Sequence, residues 1–310
     1  MEKINDSKLI KVAEQIWEGD VEFDDLSNEL KMNKKFALIL LRGNGAYLED
    51  LDESFKKDKE IVLVAVTQDG ENLQFADESL TKDMDIVYAS ILSSSYGLKY
   101  VDDSFKKDRN IVLKAVQKNG FAIKYADDTF KADVELVAIA LDYNNDIFQF
   151  IDDSLKKDKK FVLEYFKDRR NKNEQSDPFS LNFVHYNLSL KYVDDSLKND
   201  REIVLEAVKA NGWNLAFANE SLKKDEEITL EAIKSDYRTF ENIDESLKND
   251  KAFIFKAVKI NGWILNLVEE AFKKDREIVL AAVKERGNAL EYAHKDLRKD
   301  PELIKLSKKR

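Results

Sequence analysis

An aspartate recurs every 25 residues along this 310-residue chain, and that interval constrains the fold more than any other feature. It falls at Asp58, Asp83, Asp108, Asp133 and Asp158, with Asn33 ahead of them, and resumes at Asp200, Asp225, Asp250, Asp275 and Asp300. Only the interval from 158 to 200 is irregular. Counting from this marker, apolar residues follow at +3, +4, +5, +7 and +8, as in Ile61, Val62, Leu63, Ala65 and Val66. That spacing predicts a first helix opened by the marker, whose carboxylate can accept bonds from the orphan N–H groups of the first turn. Both prolines, Pro178 and Pro301, directly follow an aspartate, which suits the first position of a helix.

Glycine stands at +12 in Gly45, Gly70, Gly120, Gly212, Gly262 and Gly287, usually after Asn or Asp. A left-handed glycine closing the helix is the expected reason. Apolar residues then continue at spacings of three and four and predict a second helix. One row holds Leu73, Leu98, Ile123, Leu190, Leu215 and Leu290; another holds Leu80, Phe105, Leu155, Leu197, Leu247 and Leu297. Helices this short are marginal alone and must bury their faces on neighbours. The predicted fold is therefore all-α, an α-solenoid of stacked 25-residue helix pairs. Repeats marked by Asp83, Asp133 and Asp225 lack the glycine, which makes the full period about 50 residues.

The expected organisation is one domain over 1–310: capping helices in 1–32, a repeat stack in 33–167, an irregular unit in 168–190, a second stack in 191–299 and a closing helix in 300–310. Alternation of repeat types favours a degenerate repeat at the break, restarted at Asp177-Pro178. A 17-residue insertion into an ordinary repeat is the competing reading. Arg169–Ser176 is expected to be a hydrated loop, with Phe179, Phe183 and Leu188 or Leu190 anchoring the restart.

The pattern KDxEIVLxAVxxNGxxLxYAxxxLKxD, over about residues 45–300, resembles a bacterial and protist tandem repeat of about 49 residues, a domain of unknown function. The resemblance implies an all-helical repeat, with some members in host-associated bacteria and a few read as secreted effectors. It implies no activity. The pattern is lost at 168–190.

Composition narrows the chemistry. No cysteine is present, which excludes disulfides, thiolate metal sites and a cysteine nucleophile. A net charge of −10 argues against nucleic acid as a partner. No apolar run approaches the roughly 20 residues that span a bilayer, so no membrane is expected. The start MEKINDSKLI lacks the cationic and apolar regions of a signal peptide. The expected location is cytoplasmic, or exported by a route that ignores such signals.

Acidic pairs such as Asp102-Asp103, Asp127-Asp128 and Asp194-Asp195 recur at one place in each repeat. They could line up for calcium or a cationic partner, but recurrence points to a solvated structural face. His185 and His294 lie far apart and read as surface residues, and no catalytic motif or metal-ligand spacing occurs. Phe121, Trp213 and Trp263 follow Asn-Gly, where no large apolar residue is needed to end a helix. Each packs over the next repeat, or together they form an aromatic row that grips a partner. Lys167, Arg169, Arg170 and Lys172 form a basic patch beside the break, either a plain polar segment or a contact for an acidic partner.

The reading that follows is a non-enzymatic, monomeric protein-interaction scaffold with no cofactor and no metal. Its partner is a protein or peptide, bound through Phe121, Trp213, Trp263, Arg169 and Arg170. The alternative is a secreted effector or an inhibitor or immunity-like protein that masks a single partner. An enzyme with a site in the irregular segment is the least favoured reading.

Overall fold

The computed structural model describes residues 6–94, 96–175 and 189–308, without the side chains of 145 and 169–175. The chain divides into two compact blocks, 1–152 and 153–310. Among the described residues every element is helical and there is no strand. No helix among them is long and apolar enough to cross a membrane.

Each regular repeat opens with a ten-residue α-helix that starts one place after the marker, as at Lys59–Gln68, Arg109–Lys118 and Arg201–Ala210. The marker caps it. Asp58 Oδ1 accepts from the N–H groups of Glu60 (3.0 Å) and Ile61 (3.4 Å), and Asp200 does the same for Glu202 and Ile203. Asp108 repeats the pattern with Asn110 and Ile111. Within each block these helices stack in chain order, each on the next, as in an α-solenoid. Positions +3, +4, +7 and +8 form the core, and Ile61, Val62, Ala65 and Val66 are fully buried. The row of Leu73, Leu98, Ile123, Leu190, Leu215 and Leu290 is buried with it. The second row is half-buried, except Leu155, which is buried.

The expected second helix is instead two short pieces. A six-residue 3-10 run, such as Gly120–Tyr125, is followed by an extended residue, Ala126, and then by one helical turn, Asp128–Lys131. The reason lies in the backbone bond that interrupts it. Asp127 N–H donates not to its own segment but to Lys106 O of the preceding turn, at 3.0 Å. The same bond runs from Asp77 to Lys56, Asp152 to Lys131, Asn219 to Lys198 and Asp244 to Lys223. Spacings of three and four cannot distinguish this from a continuous helix.

The glycines at +12 are not left-handed. Gly19, after the N-terminal helix Asp6–Trp17, is the only residue with positive φ among those described, at 80°. At +12 the need is close approach. A Cβ on Gly212 would lie 2.5 Å from Ala232 O of the next helix, and one on Gly262 would lie 2.7 Å from Ala282 O. The residue before it supplies the turn. Asn211 is extended (φ −157°, ψ 115°), ends the α-helix, and accepts from Trp213 N–H at 3.0 Å to open the 3-10 run.

Across the break at 158–200 the described residues on its two sides meet as consecutive repeats do. The helix after Asp158 runs Lys159–Gln175, so the expected loop at Arg169–Ser176 is helical through Gln175. That helix packs directly on Arg201–Ala210. Lys159 Nζ reaches Asp200 (2.7 Å) and Glu202 (3.5 Å), as Lys59 reaches Asp83 and Asp85 in consecutive regular repeats. The tie to Lys156 O comes from Asp194 N–H, thirty-six places after the marker rather than nineteen. The two sequence readings of the break, a degenerate repeat and a 17-residue insertion, turn on residues 176–188, which lie outside the described residues. Asp177-Pro178, Phe179, Phe183, His185 and Leu188 lie outside the described residues, whereas Leu190 is fully buried. The closing helix Pro301–Ser307 is capped by Asp300.

Candidate interaction surfaces

The recurring carboxylates are consumed by the fold. The first acid of each pair caps the single turn: Asp102 accepts from Ser104 N–H (3.0 Å) and Ser104 Oγ–H (2.6 Å), and Asp127, Asp194 and Asp244 repeat this with Thr129, Ser196 and Ser246. These hydroxyl bonds, with the backbone bond beside them, hold the four carboxyls below the usual carboxylate range. The second acid pairs with a lysine three places on, as in Asp128–Lys131 at 2.7 Å. His294 stands at the same cap position, where its Nδ1 lies 3.5 Å from Asp296 N. Among the described residues no three His, Asp or Glu side chains are grouped to hold a metal.

The markers carry a second duty. A cation at +1 clamps the next marker and the acid two places beyond it. Arg201 bonds Asp225 at 2.7 Å and Glu227 at 2.5 Å, and Lys251 reaches Asp275 at 2.7 Å. The Lys59 and Lys251 ammoniums lower the carboxyls of Asp83 and Asp275. At Asp200 and Asp225 partial burial pushes the other way, and the cation with two backbone N–H groups outweighs it. The clamp is missing where +1 holds Met84 or Glu226.

Aromatic side chains are left over. Phe121 and Trp263 are half-buried, while Trp213 stays 39% exposed. Phe121 meets Phe150 of the next repeat edge-on at 6.3 Å and Tyr143 at 6.2 Å. Trp263 meets Tyr292 of the next repeat at 5.4 Å and stacks on Tyr237 at 6.5 Å. Trp213 donates its indole N–H to Asp236 (3.1 Å), with the Arg238 guanidinium 5.7 Å from its ring. Each of the three thus leans on the next repeat, and Trp213 is the most exposed of them. The sequence reading missed Tyr96, which meets Tyr125 of the next repeat at 5.7 Å. Its place at +13, shared with Phe121, Trp213 and Trp263, was the available signal. In the first block Tyr96, Phe121, Lys124, Tyr125 and Phe150 line a recess of about 210 Å³. Arg169 and Arg170 lie on the helix Lys159–Gln175, and their side chains are outside the described residues. Lys167, two places before Arg169, pairs with Glu202 at 3.5 Å.

Capped helices, close-approach glycines and repeat-to-repeat ties define an all-α tandem-repeat protein. The chain belongs to the family described as Domain of unknown function (DUF4116), whose model matches residues 33–81, 83–131, 133–189, 175–223, 200–248, 225–273, 250–298 and 275–309. The match over 133–189 runs into the break, and the one over 175–223 begins within it, 25 residues before the next at 200. No curated protein and no solved structure matches the chain.

Proposed function

We propose that this chain is a non-enzymatic protein-interaction scaffold. One observation carries the reading: the repeat motifs that could have held chemistry serve as caps and clamps, while aromatic edges stay in solvent. Tyr96, Trp213 and Phe217 are 45%, 39% and 40% exposed, and none is required to end a helix. Aromatic side chains bury much area at little entropic cost, which is why they anchor protein interfaces. Variation on the outside of a repeat stack leaves its core intact, so such a stack can be fitted to a protein or peptide partner. That last step is an analogy from fold class.

The test compares proteins captured from native lysate by the wild-type chain and by a W213A/F217A variant, identified by mass spectrometry. Proteins enriched by the wild type and lost with the variant support the scaffold. An identical set from both, with the variant folded by circular dichroism, would sink it.

A further inference from the structure

The long helices present a second surface, at +5, +6 and +9, that the aromatic reading does not use. In the four repeats marked by Asp200 to Asp275, +5 holds Leu205, Leu230, Phe255 and Leu280, all half-buried, and +9 holds Lys209, Lys234, Lys259 and Lys284. Positions +6 and +9 are neighbours on a helix. Glu206 therefore pairs with Lys209 at 3.2 Å, and Glu231 with Lys234 at 3.7 Å. In the next two repeats +6 is Lys256 and Ala281, so the neutralising acid is gone. Lys256 turns away to Glu226 at 2.5 Å. Lys259 and Lys284 are left with no carboxylate partner among the described residues. Lys259 instead lies 5.5 Å from the ring centre of Phe255.

Those two lysines line a cavity of about 420 Å³ between helices Lys251–Ile260 and Arg276–Glu285. Phe255, Leu280 and Ala281 give it an apolar lining. Its two acids are already engaged: Glu277 with Lys251 at 3.3 Å, and Glu285, which accepts from Gly262 N–H at 2.5 Å. In an acidic chain this groove thus offers apolar surface and two unspent positive charges.

We propose that the groove docks an acidic peptide segment, which seats one large apolar side chain against Phe255 and Leu280 and places flanking carboxylates on Lys259 and Lys284. Charge complementarity selects this occupant, because a basic or neutral segment would leave both ammoniums without partners. The inference rests on the scaffold reading for the class of partner, but on a different surface.

The probe is fluorescein-labelled Glu-Glu-Leu-Phe-Glu-Glu, titrated with the full chain and followed by anisotropy. Controls are the same peptide with Lys for Glu, and with Gly-Ser for Leu-Phe. Saturable binding of the acidic peptide alone is expected, weakened about tenfold or more in K259Q/K284Q and unchanged in K209Q/K234Q and in W213A/F217A. No saturable binding, equal binding of the basic peptide, or equal loss in both lysine double variants would overturn the groove. A lysate capture that still depends on Trp213 and Phe217 would then leave the scaffold reading standing.

Discussion

At +9 of the long helices the first block carries Arg42, Thr67, Leu92, Gln117 and Asp142, whereas five successive repeats of the second, from Lys167 to Lys284, carry lysine. At +3 and +8 the same two blocks are nearly interchangeable: Ile61 and Val66 in one, Ile203 and Val208 in the other, all buried. The first contrast lies where water meets the side chain, and the likeness lies where the next repeat does. A stack of identical contacts tolerates little change at its interior positions and much at its exterior ones. The departures of one block from the other therefore fall on the exterior positions.

The sharpest way to break the equivalence of the interiors is to truncate them. Leu73→Ala and Leu215→Ala remove side chains that are 1% and 0% exposed, and each should cost about 2–5 kcal/mol. Chemical denaturation should give the two variants similar losses. A loss in one block several times that in the other would show that the shared pattern hides different packing.

The next effect separates two explanations of glycine. Gly70→Ala and Gly212→Ala should each cost about 1–3 kcal/mol, because the added methyl meets a backbone oxygen of the neighbouring helix. Gly19→Ala has open space around it and pays only for its left-handed backbone, about 1 kcal/mol. If Gly212→Ala were neutral in thermal unfolding, the close approach would not be what holds glycine at that position.

Much of this architecture was legible because its causes are local. An aspartate that accepts from N–H groups two and three places on leaves its trace at one spacing, and buried rows leave theirs at three and four. What stayed hidden depends on the neighbouring repeat. The tie from Asp127 to Lys106 O, which breaks the second helix, joins residues 21 apart and has no signature in apolar spacing. Glycine at +12 was visible as glycine, but its reason is a carbonyl twenty residues on. That Lys159 reaches Asp200 across the break is likewise a contact no count of repeat types could reveal. Among surface residues Trp213 stood out by type. The lysines at +9 did not, because a lysine matters there only once its acid at +6 is gone.

The smallest predicted effect tests whether both blocks are capped alike. Asp58 is the marker of a first-block repeat, and Asp200 of a second-block one. At each, partial burial opposes ionisation, but the lysine bond and two backbone N–H bonds win and hold the carboxyl below its usual range. A carboxyl whose folded pKa is depressed adds stability that is present in full above its unfolded pKa, about 3.9. That stability fades as pH falls through the folded value. Asp58→Ala and Asp200→Ala should thus each cost about 1 kcal/mol at neutral pH, and the gap to wild type should narrow below about pH 4. Urea midpoints between pH 2.5 and 7 measure it. A gap that stayed constant to the acid end would mean that these aspartates act by shape rather than by charge. A gap seen in only one block would mean that the shared marker does not do the same work in both.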